Sequence, residues 1–265
     1  MTSPRIAVST VIFSLQRHPR TGALGVWIPL VRRIRNPYLG LWALPGGPLD
    51  LDEGLETAAR RTLSATTELA PSYLEQLYAF GELDRTSSTD SSDAASIERF
   101  VSIVYWALVS TSEAQRAAES ENVRWFAADD VPGLAFDHRI IVDYALSRLR
   151  NKLSYGRIAH AFVGERFTLA QLRSVYEVVL GTTLDPANFR RQIESSGDVV
   201  ATDEMVTGTR HRPARLYRAA TVATVETGPH PGQHPGWNAG AADILSSPST
   251  TSPPTPDTAE NGPLS

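Results

Sequence analysis

The feature that most limits what this chain can fold into is a change of pattern at Asp137. Ahead of it, residues 6–15, 26–33, 76–83, 101–109 and 123–127 are rich in β-branched and aromatic side chains, and turn-forming residues bound each run. These runs read as strands. One helix, residues 55–69, falls between the second and third. Strands around a single early helix predict a mixed sheet with helices packed on it. From Asp137 the pattern turns helical. Asp137 is placed to cap a helix running to about Leu153, with Ile141, Tyr144 and Ala145 on one face and Arg148, Arg150 and Lys152 following. The expected organisation is a first domain at 1–136, a linking helix at 137–154, a second module at 155–220 and a tail at 221–265.

The charge follows the same division. The chain has 265 residues and a net charge of −4, which taken globally argues against nucleic acid as a partner. Residues 1–136 carry 12 Lys/Arg against 16 Asp/Glu, residues 137–220 carry 13 against 9, and the tail carries none against 4. A basic module between an acidic domain and an acidic tail implies different partners for the two halves. The tail holds 8 Pro, 5 Gly and 12 Ser/Thr, too few large apolar side chains to offset its ordering entropy, so disorder is expected there. The Ser/Thr/Asp-rich stretch 86–96 reads as a mobile surface loop. The absence of cysteine excludes disulfides, a cysteine nucleophile and thiolate-bound metal. No apolar run approaches a membrane span, and residues 1–5 lead into a strand instead of a signal peptide, so the expected compartment is the cytoplasm.

The segment from Leu44 through Pro45, Gly46, Gly47 and Pro48 to Glu53, followed by the helix with Arg60, Arg61 and Leu63, is similar to the Nudix box. In that pattern a glycine is followed after five residues by Glu, then after seven more by Arg-Glu-apolar-x-Glu-Glu-x-Gly. Gly47, Glu53, Arg61, Leu63 and Leu69 fit, and Trp42 sits in the usual lead-in. The three helix glutamates fall instead on Thr62, Ala65 and Thr66, and the glycine falls on Glu68. Positions i, i+3 and i+4 share one helix face, so the family's glutamates converge on a magnesium cluster. Two hydroxyls and a methyl do not supply the anionic oxygens Mg²⁺ prefers. No catalytic residue and no metal centre are therefore expected. A single Mg²⁺ at Glu53 remains compatible with the pattern without being catalytic; the alternative is a rescue of the metal site by Glu56 or Glu68, against which a carboxylate in a different register points elsewhere on the helix. Read without the resemblance, Arg60 and Arg61 are a solvated helix face and 45–48 is an ordinary tight turn.

In the second module Thr168 and Gln171 form a capping box, Phe167 and Leu172 a hydrophobic staple, and Gly181 a left-handed stop. Three residues later Asp185 caps a second helix with Pro186 at its first position. Phe189 and Ile193 face inward, leaving Ala187, Asn188, Arg191 and Ser195 outward with Arg190 on the flank. Two helices with this short turn match a helix-turn-helix. Asn and Arg are the side-chain types that read adenine and guanine edges. Strands at 199–202 and 214–218, joined by a loop ending in Arg210, His211 and Arg212, read as a wing with a basic tip. The alternative is a small helical domain whose arginines are merely solvated.

The complete order resembles the Nudix-related transcriptional regulators of NAD metabolism, the NrtR family. It runs from the altered box through Phe136-Asp-His-Arg-Ile-Ile141 and Leu184-Asp-Pro-Ala-Asn-Phe-Arg-Arg191 to Arg212-Pro-Ala-Arg-Leu-Tyr-Arg218. The likeness spans about residues 5–220. It implies an α+β chain, a Nudix-like α/β/α sandwich followed by a winged helix-turn-helix. It also implies a homodimeric repressor of NAD biosynthesis or salvage genes, released from double-stranded operator DNA by ADP-ribose or a relative. The effector residues this implies are Arg33, Trp42, Gly46, Gly47, Glu53 and Arg61, with Tyr105 or Trp106 available for stacking. The DNA-binding residues are Thr168, Asn188, Arg190, Arg191, Arg210, Arg212 and Arg215. The competing expectation is an active ADP-ribose pyrophosphatase whose C-terminal module only dimerises.

Overall fold

A computed structural model describes residues 4–71, 73–82, 99–117, 120–155, 158–206 and 213–220. The stretch 86–96 and the tail from 221 lie outside the described residues, as do Arg210 and Arg212.

The first domain is built on β1 (Arg5–Arg17), whose residues from Val8 to Leu15 are all buried. A strand covered on both faces is mostly apolar, and this segment stands out in the sequence although it also buries Ser9, Thr10 and Ser14. It pairs in parallel with β6 (Phe100–Leu108) and antiparallel with β2 (Leu24–Arg32). The sheet order is β3-β2-β1-β6-β5, with β5 at Tyr73–Phe80 and β3 at Trp42–Ala43; β4 (Gly46–Pro48) adds to β1, and β7 (Val123–Ala127) adds to β2.

Helix α1 (Leu55–Thr67) covers one face, packing Ala58 and Ala59 on Val8 and Tyr105, and Leu63 on Ile12 and Ala107. Side chains alternate across a strand, so Phe13 and Trp106 point to the other face, where their rings meet edge-on at 6.5 Å. Helix α3 (His138–Tyr155) lies there, with the Lys152 ammonium 5.6 Å from the Trp106 ring. The result is a helix–sheet–helix sandwich around a mixed sheet.

Three elements of this domain escape the sequence reading. Residues 46–48 are a strand, not a tight turn: Gly46, Gly47 and Pro48 pair with Ser9, Val8 and Ala7. Glycine is required at 46 because a Cβ there would lie 2.4 Å from the Val8 carbonyl oxygen. β3 is only two residues long, too short for any period. Helix α2 (Thr111–Arg116) is one and a half turns, marked only by its Ser110–Glu113 capping box. Helix α3 buries Ile141 and Ala145 as expected, but Tyr144 stays 37% exposed, resting on Tyr78 and Phe80 of β5.

The second module holds α4 (Leu169–Leu180), α5 (Pro186–Ser195) and a hairpin of β8 (Val199–Met205) and β9 (Arg215–Ala219). Tyr176 of α4 meets Phe189 of α5 edge-on at 5.5 Å, within a core that includes Leu172, Val179 and Ile193. Phe167 exchanges two backbone hydrogen bonds with Tyr217, tying the start of α4 to the hairpin. A short 3₁₀ turn, Ala159–Phe162, precedes α4.

Candidate effector pocket and nucleic-acid interface

The turn between β4 and α1 brings Pro48, Asp50, Glu53 and Arg61 together. The Arg61 guanidinium grips Glu53 with both arms, Nε to Oε2 at 2.9 Å and Nη2 to Oε1 at 2.5 Å. It also reaches Asp50 at 3.1 Å and the Pro48 carbonyl at 3.3 Å. Glu53 additionally accepts the Asp50 N–H at 3.1 Å, and its side chain is only 10% exposed. These contacts hold its carboxyl down to about 2, the Arg61 hydrogen bond being the main cause.

A depressed carboxylate contributes stability above its ordinary pKa and loses it as pH falls towards the folded value. The Glu53–Arg61 pair is therefore expected to stabilise the domain above about pH 4.5 and to fade towards pH 2. Urea unfolding followed by tryptophan fluorescence should show the parent losing its advantage over Glu53→Gln across that window. Parallel pH curves for the two proteins contradict this.

The rest of the box helix is turned inward on itself. Thr62 Oγ1 donates to the Ala58 carbonyl at 2.9 Å, Thr66 Oγ1 to the Thr62 carbonyl at 2.6 Å, and Thr67 Oγ1 to the Leu63 carbonyl at 2.8 Å. Thr62 is buried, and its methyl would lie 3.2 Å from a Cβ at position 47, so glycine lets β4 approach the helix. Glu68 ends the helix in the left-handed conformation, φ 58°, which the family's glycine adopts freely and a glutamate adopts at a cost. This donor set does not fit a magnesium cluster. Glu53 is held by an arginine, the threonine hydroxyls are neutral and turned to helix carbonyls, and Ala65 has no ligand atom. Among the described residues no group of three His, Asp or Glu is placed to hold a metal ion. Glu56 pairs with Arg60 one turn away at 2.9 Å.

The other effector candidates are placed as follows. Arg33 donates through Nε to the Pro37 carbonyl at 2.8 Å and lies 4.6 Å from the Phe136 ring; partial burial lowers its pKa. It braces its own loop. Trp42 is half-buried and packs edge-on against Phe126 at 5.0 Å. Tyr105 and Trp106, offered above as stacking platforms, are core side chains at 6% and 1% exposure. The sheet register points them to opposite faces, under α1 and α3 respectively, so neither presents an open ring.

In the second module the caps are where the sequence puts them. Thr168 and Gln171 close a capping box, Gly181 ends α4 at φ 67°, and Asp185 accepts the Asn188 N–H at 2.8 Å. On α5, Phe189 and Ile193 are buried while Asn188, Arg190 and Arg191 are exposed. Thr168, Arg190 and Arg215 line one groove of about 600 Å³, together with Pro186, Met205 and Pro213. The arginines are held by their neighbours: Arg191 donates to Asn188 Oδ1 at 2.7 Å, and Arg190 to Glu194 at 3.2 Å. Glu194 also accepts the Tyr217 hydroxyl at 2.7 Å, which lowers its pKa and joins α5 to the wing. Glu194 is absent from the expected site; its i,i+4 spacing from Arg190 was the signal for it.

The two halves of the chain are thus a Nudix sandwich and a winged-helix module. A model of the NUDIX domain matches residues 4–145, and one of the NrtR DNA-binding winged helix domain matches residues 160–219. The ADPR responsive transcriptional repressor NtrR of Acinetobacter baylyi is 34% identical over 223 residues, covering 82% of this chain and 83% of the relative. The chain belongs to the NrtR family. The crystal structure of Shewanella oneidensis NrtR complexed with a 27mer DNA superposes with a TM-score of 0.69 at 33% identity, covering 81% of this chain and 93% of that one. An ADP-ribose pyrophosphatase of Methanocaldococcus jannaschii is 30% identical over 138 residues, covering 50% of this chain and 76% of the relative.

Proposed function

We propose that this protein is an ADP-ribose-responsive transcriptional repressor of NAD biosynthesis or salvage genes. It binds double-stranded operator DNA as a homodimer through α5 and the wing. One observation carries the reading. The same chain exposes Asn188, Arg190 and Arg191 on a capped second helix and lacks carboxylates on the face of its Nudix box helix. The A. baylyi relative, aligned over most of both chains, bears a name that states this response.

In this reading α5 enters the major groove, with Asn188 and Arg191 at base edges and Arg190 beside them. Thr168 and Arg215, together with Arg210 and Arg212 of the wing loop, meet phosphates. ADP-ribose binds against Gly46, Gly47 and Glu53, near Arg33, Trp42 and Arg61, and is retained without turnover. Catalysis needs no part in the function, and neither does a cofactor. Among the described residues no helix is long and apolar enough to cross a membrane, and the regulator acts on DNA in the cytoplasm.

The test is a mobility shift with DNA from upstream of NAD-synthesis genes. The full-length protein is expected to retard that duplex, and ADP-ribose to release it. Equal retardation of an unrelated duplex, or no retardation at all, overturns the proposal.

A further inference from the structure

We propose that His138 is a positioning residue of the effector response, joining the segment ahead of β4 to the first turn of α3; the inference rests on the repressor reading above. The Leu44 N–H donates to His138 Nδ1 at 3.0 Å, across 94 residues of sequence. Both residues are buried, at 3% and 6% exposure. Acceptance at Nδ1 places the ring proton on Nε2 and fixes how the imidazole lies.

The contact stands at a junction. On one side, Pro45 accepts the Thr10 N–H at 2.8 Å, and Gly46 and Gly47 continue as β4 along β1. A ligand bound against this strand would therefore act on the chain that carries Leu44. On the other side, His138 is the first residue of α3, and the Trp42 carbonyl accepts the Ala135 N–H at 2.8 Å. Phe136 packs between Tyr38 at 4.7 Å and His138 at 5.4 Å. The far end of α3 is anchored elsewhere. Arg150 donates to the Val179 carbonyl in the last turn of α4 at 3.3 Å, and Lys152 pairs with Glu75 of β5.

Breaking the Leu44–His138 bond leaves a buried backbone donor without an acceptor, which is costly. A displacement of residues 42–47 is therefore passed to α3, instead of being absorbed by a broken bond. At 1.5 Å per residue, the 12 residues from His138 to Arg150 carry it about 18 Å to the contact with α4. What His138 adds is a side-chain link that a substitution removes while the backbone bond from Ala135 to Trp42 stays in place.

The experiment uses the full-length protein, ADP-ribose as the probe and the operator duplex. ADP-ribose affinity is measured by calorimetry, and DNA affinity by fluorescence anisotropy with and without saturating ADP-ribose. The parent is expected to lose about 5- to 150-fold in DNA affinity on saturation. His138→Phe keeps an aromatic ring, somewhat larger than the imidazole, and removes the acceptor. It should bind each ligand alone nearly as the parent does, with the coupling reduced to about twofold or less. His138→Asn, which returns an acceptor near the Nδ1 position, should restore most of the coupling, a recovery that a purely structural role does not give. Where the Phe variant fails to fold, His138→Ala takes its place, with thermal melting as the control. Full coupling in the folded Phe or Ala variant overturns the role of His138. Absence of coupling in the parent overturns the repressor reading itself, and this inference with it.

Discussion

Arg191→Ala and Asn188→Ala are each expected to cost about 1–3 kcal/mol of operator affinity, with the loss confined to the cognate duplex. A bidentate base contact supplies discrimination, so removing it leaves binding to scrambled DNA near the parent level. The two positions are not independent, because Arg191 donates to Asn188 in the free protein at 2.7 Å. Asn188→Ala also releases the guanidinium, and the double variant should lose less than the sum of the two single losses. Arg215→Ala behaves differently. A phosphate contact carries no sequence information, so this change should weaken every duplex alike and reduce the salt slope by about one. Arg212→Ala in the wing loop is expected to do the same. Anisotropy titrations of cognate and scrambled duplexes at two salt concentrations separate the classes. Parent-like binding by all four variants contradicts the assignment of this face.

With Mg²⁺ or Mn²⁺ present, ADP-ribose should yield AMP no faster than the uncatalysed background. A metal-activated water requires converging anionic oxygens, and the box helix offers none at Thr62, Ala65 or Thr66. The Arg61 clamp adds a second obstacle, since a metal must displace a bidentate arginine to reach Glu53. Restoring glutamate should accordingly be uneven. Ala65 is exposed and Thr66 half-buried, so both sites have room, whereas Thr62 is buried against β4 and a glutamate there must push neighbours aside. Chromatographic assay of AMP release measures this directly. Brisk turnover by the unsubstituted protein, abolished by Glu53→Gln, favours the pyrophosphatase reading that the M. jannaschii relative represents.

Local chemistry explains which parts of the molecule could be read from the sequence. α4 and α5 were legible because their boundaries are written in side chains that bond to the nearest turn: Thr168 with Gln171, Asp185 with Asn188, and Gly181 in the left-handed stop. β1 and β6 are legible because burial on both faces favours β-branched and aromatic side chains, which dominate both segments despite Ser9, Thr10, Ser14 and Ser102. The missed features depend on distant partners. Gly46–Pro48 has the composition of a turn and becomes a strand only because Ala7–Ser9 lies beside it. The aromatic character of Tyr105 and Trp106 was visible, but burial is decided by α1 and α3 packing from opposite sides. The box glutamate was found by spacing, while its capture by Arg61 emerges only when the turn folds the two together. Leu44 and His138 carry no local mark of their contact.

Reciprocal titration of the unsubstituted full-length protein tests the central claim most directly. If ADP-ribose in the Nudix cleft releases operator DNA, then operator DNA must weaken ADP-ribose binding by the same factor that ADP-ribose weakens DNA binding. Calorimetry of ADP-ribose with and without saturating operator, set beside DNA titrations with and without ADP-ribose, should give two equal factors between about 5 and 150. Identical ADP-ribose affinities in the presence and absence of operator would contradict the account.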